Sequence, residues 1–396
     1  MPWKEQNVMD ARRAFIDDYL EHTMSFQQLC EQYQVSTKTG YKWRKRFYEG
    51  GYPALEDMSR RPHGHLRQLS EDEVCKVIKL KKRFPDQGPK KIHSHYNKAH
   101  AKEISLSSVE RILEKAGYTT KQKRRQIPTL THLSGILEAE APNDIWTIDF
   151  KGHWLGRGGH KCEPFTVTDQ YSRNILYCQA LAKGDTDHVK AVFIELFKEF
   201  GLPKVIKSDN GSPFAHAMSP RGITRLSNWL MSLDINLHRI QPGKPCQNGK
   251  HERMHRDLKR IVQKGPKLTF KEYSAALKEF QTEYNEQRPH EALNMCFPSD
   301  LYHKSNRKYE TPSKEIIYPD DLLVRKVNIH GQIRYQGLIY AISETLSGYL
   351  VALKELDNDH FSVYFCDQIL GNIDLNLKQF FPDMRALQIG TDYEQS

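Results

Sequence analysis

Ile145-Trp146-Thr147-Ile148-Asp149-Phe150 is an apolar run with a single acid inside it. β-Branched and aromatic residues in such a run predict a buried strand, so Asp149 is expected in an interior where an unpaired carboxylate is costly. Two further acids stand in contexts that could bring them to it. Asp209 ends the run Lys204-Val205-Ile206-Lys207-Ser208 and is followed by Asn210-Gly211, a turn signal. Glu252 follows Gln247-Asn248-Gly249-Lys250-His251 at the start of a basic helix expected to run to about Lys264. An acid on a strand, one at a strand end and one on a helix can converge on a divalent cation, and Mg²⁺ favours such hard oxygen ligands. In a strongly basic chain, that convergence points to phosphodiester chemistry on nucleic acid.

The stretch Trp146-Thr147-Ile148-Asp149-Phe150-Lys151-Gly152, the stretch Ser208-Asp209-Asn210-Gly211 and the stretch Gln247-Asn248-Gly249-Lys250-His251-Glu252-Arg253 resemble the three motifs of bacterial insertion-sequence transposases of the Asp-Asp-Glu class. These enzymes share a ribonuclease-H-like core with retroviral integrases. The later run Tyr284-Asn285, Arg288-Pro289-His290, Ala292-Leu293 and Pro298 is similar to the segment that closes the same core. The resemblance covers about residues 140–305 closely and residues 10–130 more loosely. It implies that Asp149, Asp209 and Glu252 are the catalytic residues and hold two Mg²⁺ ions, with Mn²⁺ able to substitute. Such ions, roughly 3.5–4 Å apart, support an in-line displacement at phosphorus. It further implies cleavage at the element's ends by water, attack of the freed 3′ hydroxyl on target DNA, and a homo-oligomer assembled on the DNA ends. The chain departs from the family in one respect. Between Asp209 and Glu252 lie 42 residues, more than the commonest family spacing, and the surplus is expected in the Pro/Gly-bearing loop Phe214 to Gly222.

Composition bounds the remainder. A chain of 396 residues accommodates two to four domains. No apolar stretch approaches membrane-spanning length, and the first residues lack a signal-peptide core, so a cytoplasmic, nucleoid-associated protein without membrane contact is expected. The net charge of +10 is uneven: residues 1–140 hold 26 Lys/Arg against 18 Asp/Glu, and the remainder holds 33 against 31. A footprint for a polyanion therefore lies mainly in the N-terminal third. The seven cysteines form no Cys-x-x-Cys pair, which points away from a disulfide framework or thiolate zinc site.

The fold expected is multidomain: N-terminal all-α helix-turn-helix modules, a central α/β ribonuclease-H-like core and a small C-terminal β barrel. Residues 1–50 read as a helix-turn-helix domain, with an apolar stripe of Ala14, Phe15, Tyr19 and Leu20 and with Ser25 and Ser36 placed to cap the second and third helices. In the third helix Trp43 and Phe47 face inward. Thr37, Lys38 and Thr39 are candidates for base contact, while Lys42, Arg44, Lys45 and Arg46 are candidates for phosphate contact. Residues 51–69 read as a linker whose Arg60 and Arg61 could follow a minor groove. Residues 70–126 read as a second helical DNA-binding domain with helices near 70–84, 88–97 and 105–116, ending in Lys121, Lys123, Arg124 and Arg125. A linker over 127–140 leads to the catalytic core, 141–304.

On the Glu252 helix, His255, Arg256 and Lys259 share the acid's face and are expected to hold a DNA backbone, with Lys250, Arg253 and Arg260 extending the basic surface. Asp169, at a hairpin turn, reads as structural. A linker over 305–320 precedes the barrel, 321–374, and a tail, 375–396. With four Lys/Arg against seven Asp/Glu, the barrel suits assembly or sparse target contact better than phosphate binding. The rival functional readings are a catalytically silent transposase-derived DNA-binding regulator and a stand-alone structure-specific nuclease.

Overall fold

A computed structural model describes residues 7–58, 69–119, 137–152, 154–159, 161–181, 183–216, 218–241, 245–262, 266–310, 316–385 and 387. Arg60, Arg61, Lys121, Lys123, Arg124 and Arg125 lie outside the described residues, as does the side chain of Arg260. The chain divides into two units, residues 1–71 and 72–396.

In the first unit, α1 (Val8–Leu20), α2 (Phe26–Gln32) and α3 (Thr37–Gly50) precede a short 3-10 turn, Tyr52–Leu55. Ser25 and Gln28 form a reciprocal capping box at α2, and the Ser36 hydroxyl accepts the Thr39 N–H to start α3. Phe15, Ile16, Leu29, Cys30, Trp43 and Leu55 make the core, with Phe47 packed on it. The expected α1 stripe is shifted by one residue at its end, since Ile16 is buried and Leu20 is 42% exposed. A Cβ at Gly40 would lie 2.6 Å from Cys30 Sγ, so α3 crosses α2 where no methyl fits.

The second unit begins with α4 (Glu71–Arg83), α5 (Pro89–Ala99) and α6 (Leu106–Lys115), whose Val77, Ile92, Tyr96, Val109 and Leu113 are buried. These helices dock on the residues that follow them in the unit. Gln87 Nε2 donates to Gln287 O at 3.1 Å, Lys90 pairs with Glu291 at 2.8 Å, and the Lys98 ammonium lies 4.0 Å from the Phe297 ring centre.

A mixed five-stranded sheet follows. Its strands are β1 (Ile145–Phe150), β4 (Pro164–Asp169), β5 (Ile175–Ala180), β6 (Val205–Ser208) and β7 (Asn236–Arg239), in spatial order β5-β4-β1-β6-β7. β1 runs antiparallel to β4 and parallel to β6. A small unanticipated hairpin, β2 (Trp154–Leu155) with β3 (Lys161–Cys162), follows β1. The helices are α7 (Thr186–Phe200), α8 (Arg225–Met231), α9 (Gly249–Val262), α10 (Phe270–Thr282) and α11 (Pro298–Leu301).

Strand alternation sorts the two faces of this sheet. Trp146, Ile148, Phe165, Val167 and Ile206 pack with Phe193, Phe197 and Trp229 of α7 and α8. The opposite face packs Ile175 and Cys178 against Met254, Leu258, Leu277 and Phe280 of α9 and α10. Thr147 and Asp149 fall on this second face, each opposite a threonine of β4: Asp149 pairs with Thr166 and Thr147 with Thr168. A polar stripe therefore runs beneath α9.

The C-terminal segment forms β8 (Leu323–Lys326), β9 (Gln332–Tyr335), β10 (Leu338–Ala341), β11 (Leu350–Asp357), β12 (His360–Phe365), β13 (Gln368–Asp374) and β14 (Gln379–Pro382). Among the described residues these make two sheets, β14-β13-β12-β11-β8 and β10-β9, with no ladder joining them. This corrects the expected closed barrel. Residues 379–382, read from sequence as part of a tail, add a fifth strand to one edge, and Asp383 N donates on to Leu370 O at 2.8 Å. The sheet extends instead of closing.

The loop carrying the surplus residues between the second and third acids is where this sheet meets the core. Ile223 and Met231 belong to the C-terminal hydrophobic cluster. Arg221 Nη1 pairs with Asp383 Oδ2 at 3.2 Å, and Arg239 N donates to Leu387 O at 2.8 Å. Buried Arg239 turns back to hold the loop, donating to Arg221 O at 2.7 Å and Phe214 O at 2.9 Å. No described helix is long and apolar enough to cross a membrane.

Candidate active site

Asp149 is placed by strand alternation on the α9 face of β1, with 21% of its side chain exposed. Asp209 directly follows β6, which is parallel to β1, and its Oδ1 accepts the Gly211 N–H at 3.0 Å in the expected turn. Glu252 lies exposed in the first turn of α9. The path into α9 is fixed by Lys207, buried on β6, whose ammonium donates to Gln247 O at 2.6 Å. One strand thus carries Asp209 at its end and anchors the turn that leads to Glu252. The role of Lys207 was not legible in sequence, because a lysine in a short strand normally reads as exposed.

The three acids share one electrostatic field. Burial, and then the Asp209 charge, push the Asp149 carboxyl up to about 7; Lys151 opposes the rise and Glu252 adds to it. A carboxyl held half-protonated near neutrality, by burial first and by neighbouring acids second, gains most when a cation enters.

Beneath Asp149 lies a network that sequence reasoning missed. The Thr166 hydroxyl donates to Asp149 O at 3.0 Å and meets His251 Nε2 at 2.8 Å and His255 Nε2 at 2.7 Å. Thr168 Oγ1 meets His251 Nδ1 at 2.9 Å. A hydroxyl has one proton, so with that proton on Asp149 O both Nε2 atoms must donate to Thr166. Burial lowers both histidines, His251 to about 3, and they are neutral at physiological pH. His251 Nδ1 then accepts from Thr168, and His255 Nδ1 turns a lone pair toward Asp149 Oδ2, 3.5 Å away.

His255 is therefore not the DNA-holding cation that its helical spacing suggested. It shares the Glu252 side of α9, but the narrow space over β4 neutralises it. Asp149, His251 and His255 form the one His/Cys/Asp/Glu cluster of metal-binding dimensions found among the described residues. Both His251 nitrogens are spent on threonines, so the donors left for a cation at this spot are Asp149 and His255 Nδ1. Lone pairs of Asp149 and His255 that face each other fit a proton or a cation between them.

Of the other expected residues, Arg253, Arg256 and Lys259 are exposed along α9, and Lys250 lies 3.6 Å from Glu138. In the first unit Thr37, Lys38, Lys42 and Lys45 are exposed on α3, and Thr39 is half-buried beside Ser36. Arg44 leans on the rings of Tyr41, Phe26 and Tyr19, and Arg46 on Trp43. Asp169 is fully buried and accepts from Asn143 N, Ser172 N and Ser172 Oγ, the structural role expected of it.

Family models match the chain in the same order as its elements. An integrase core domain matches at residues 139–245 and again at 233–298. A homeodomain-like domain matches residues 39–113, and the C-terminal domain of an IS481 family transposase matches residues 322–380. The chain is 26% identical over 208 residues to an uncharacterized protein of insertion element IS407 from Burkholderia multivorans, covering 52% of this chain and 72% of that one. It is 37% identical over 129 residues to the Gag-Pol polyprotein of baboon endogenous virus, 31% of this chain and 7% of the polyprotein. Among solved structures, the magnesium complex of the HTLV-2 integrase catalytic core domain matches at 18% identity over 42% of this chain and 100% of that one, with a TM-score of 0.34. A simian T-cell lymphotropic virus intasome matches at 17% identity over 74% and 97%, with a TM-score of 0.37.

Proposed function

We propose that this chain, which belongs to the insertion-sequence transposases built on an integrase core, binds the terminal repeats of an insertion element and cuts and joins DNA strands at Asp149, Asp209 and Glu252. The observation that carries the reading is the position of the three acids, Asp149 on β1, Asp209 just after the parallel strand β6 and Glu252 in the first turn of α9, and the rise that burial and then the Asp209 charge impose on Asp149 agrees with it. The donor set is hard oxygen, which suits Mg²⁺, with Mn²⁺ able to replace it. When bound, one or two such ions would activate the attacking oxygen and stabilise the leaving one.

The chain's own residues do the rest. Asp149 would hold the cation in its deprotonated form, and Asp209 and Glu252 would complete the ligand set from the end of β6 and the start of α9. Thr166 and His255 fix the Asp149 strand and side chain from below. The first nucleophile is water and the second the freed 3′ hydroxyl, so one site serves both steps. In the first unit, Thr37, Lys38 and Thr39 read bases while Lys42 and Lys45 meet phosphates. The chain works on duplex DNA at the nucleoid, as a homo-oligomer assembled on element ends, and the C-terminal sheets serve assembly or target contact.

The deciding experiment is nicking of supercoiled plasmid in Mg²⁺ and in Mn²⁺. Wild-type protein is expected to nick and Glu252→Gln, which keeps size and removes the ligand charge, is not. Equal nicking by both would overturn the site. A wild type that binds end sequences but never cleaves them would favour the silent regulator. Thr166→Val tests the support beneath the site. It keeps shape and removes the shared hydroxyl, and cleavage is expected to fall about 10–100-fold with the far-UV spectrum unchanged. An unaltered rate would show that the histidine network does not position Asp149.

A further inference from the structure

We propose a phosphate-binding pocket between α5 and the catalytic core, built on Lys91, Arg173, Arg253 and Arg288, that takes a backbone phosphate of duplex DNA. The proposal rests on the functional reading above and extends it to Lys91 and Arg173, which no motif assigns, and to a role for Arg288 that its motif does not give. The cavity measures about 430 Å³, ample for a phosphodiester with its waters. Lys91 comes from α5, Arg173 from the turn after β4, Arg253 and Arg256 from α9, and Arg288 from the segment beyond α10.

Two features mark the pocket as built for an anion. Arg288 is 5% exposed, and only its Nη2 is bonded, to Asp257 at 2.9 Å. Its Nε and Nη1 are buried without a partner. Buried guanidinium donors are normally satisfied, and Arg288, which lines the cavity, keeps two without a partner among the described residues, donors of the kind that bind the oxygens of an anion. The second feature is the surplus of like charge. Lys91, Arg173, Arg253 and Arg256 form no ion pair among the described residues, while Glu291 is taken by Lys90. These cations press on one another although Asp86, Asp257 and Glu291 also line the cavity: burial, then Arg288, lower Lys91 to about 8, Arg253 adds to that fall, and Asp257 and Glu291 oppose it without cancelling it. An arrangement of this kind is costly when empty and relieved by a negative ligand.

The location gives the pocket a use. Arg253 and Arg256 flank the face of α9 that bears Glu252, Arg256 lying one helical turn, about 5–6 Å, farther along. A strand whose phosphate rests here continues past the carboxylates. The half of the pocket contributed by α5 ties the helical module to the same strand, so that gripping DNA and presenting it to the acids are done by one rigid corner.

The test is the salt dependence of binding of a random-sequence duplex by the full chain. Lys91→Gln and Arg253→Gln, both at positions with solvent access, should each lower the slope of log K against log salt by about 0.9, the value of one phosphate contact. Melting temperature in the absence of DNA should not fall. Inorganic phosphate serves as the second probe. If millimolar phosphate raises the melting temperature of wild type but not of Lys91→Gln, while the DNA slopes are unaltered, the pocket serves a free anion and the assignment to DNA is overturned. Unaltered slopes with no phosphate response overturn the pocket altogether. Asp149→Asn separates this inference from the functional reading. Cleavage lost in that variant, beside unchanged slopes in Lys91→Gln, sinks the pocket alone. Cleavage retained in Asp149→Asn sinks the function and leaves the pocket to the slopes.

Discussion

Asp149→Asn should abolish strand cleavage and at the same time make the protein harder to unfold. Loss of the central ligand charge is expected to lower cleavage by on the order of 10³-fold or more, about 4 kcal/mol of transition-state stabilisation. The gain in stability follows from the folded carboxyl's pKa of about 7 against an ordinary 3.8. Between those two values the folded state holds a proton that the unfolded state has released, so wild-type stability falls as pH rises through this window. The loss amounts to about 4 kcal/mol once pH exceeds the folded pKa. Asparagine has no charge to bury and escapes it. The melting temperature of metal-free Asp149→Asn should therefore exceed that of wild type most at pH 8, with the gap narrowing as pH falls toward 4. Adding Mg²⁺ should raise wild type and leave the variant unmoved. A variant less stable than wild type at pH 8 would show that Asp149 is ionised without cost and that the acids do not converge.

Arg239→Met is the second large effect, and it acts on stability. Arg239 is 2% exposed and its guanidinium donates to Arg221 O, Phe214 O and Ser227 Oγ. Methionine fills much of the volume and supplies no donor, so all three of these Arg239 bonds are lost. The lost charge-assisted bonds to buried acceptors should together cost roughly 2–4 kcal/mol. In calorimetry the transition of residues 72–396 should drop by about 3–6 °C, while that of residues 1–71 stays in place. A shift of the second unit within a degree would show that the loop over Phe214–Gly222 holds its shape without Arg239.

The parts of this molecule that could be read in its sequence are those set by neighbours in the chain. Ser25 and Ser36 announce α2 and α3 because capping is a matter of three residues. The apolar run 145–150 announces β1, and Asn210-Gly211 announces the turn that exposes Asp209. What escaped was set across the fold. The α9 face of β1 is polar because Thr166 and Thr168 stand opposite Asp149 and Thr147, a register that no local pattern contains. Counting along α9 put His255 beside Glu252, but whether it met solvent or β4 depended on how the helix lies on the sheet. Arg288 read as part of a closing motif, and its open donors appear only when α5 is laid over them. Alternating residues over 321–374 gave the β character, whereas open or closed depended on the extra strand β14.

The junction between the core and the C-terminal sheets also bears on the order in which the chain is made. Arg221 and Arg239, the residues that shape the loop beside β6 and β7, take partners from Asp383 and Leu387. During synthesis the core's strands and helices emerge long before those partners do. The sheet bearing Asp209 can form early, but the flank next to it lacks its last contacts until residues 302–382 have followed. A polypeptide truncated within the C-terminal sheets would carry all three acids on a core whose flank beside β6 and β7 lacks the contacts from Asp383 and Leu387.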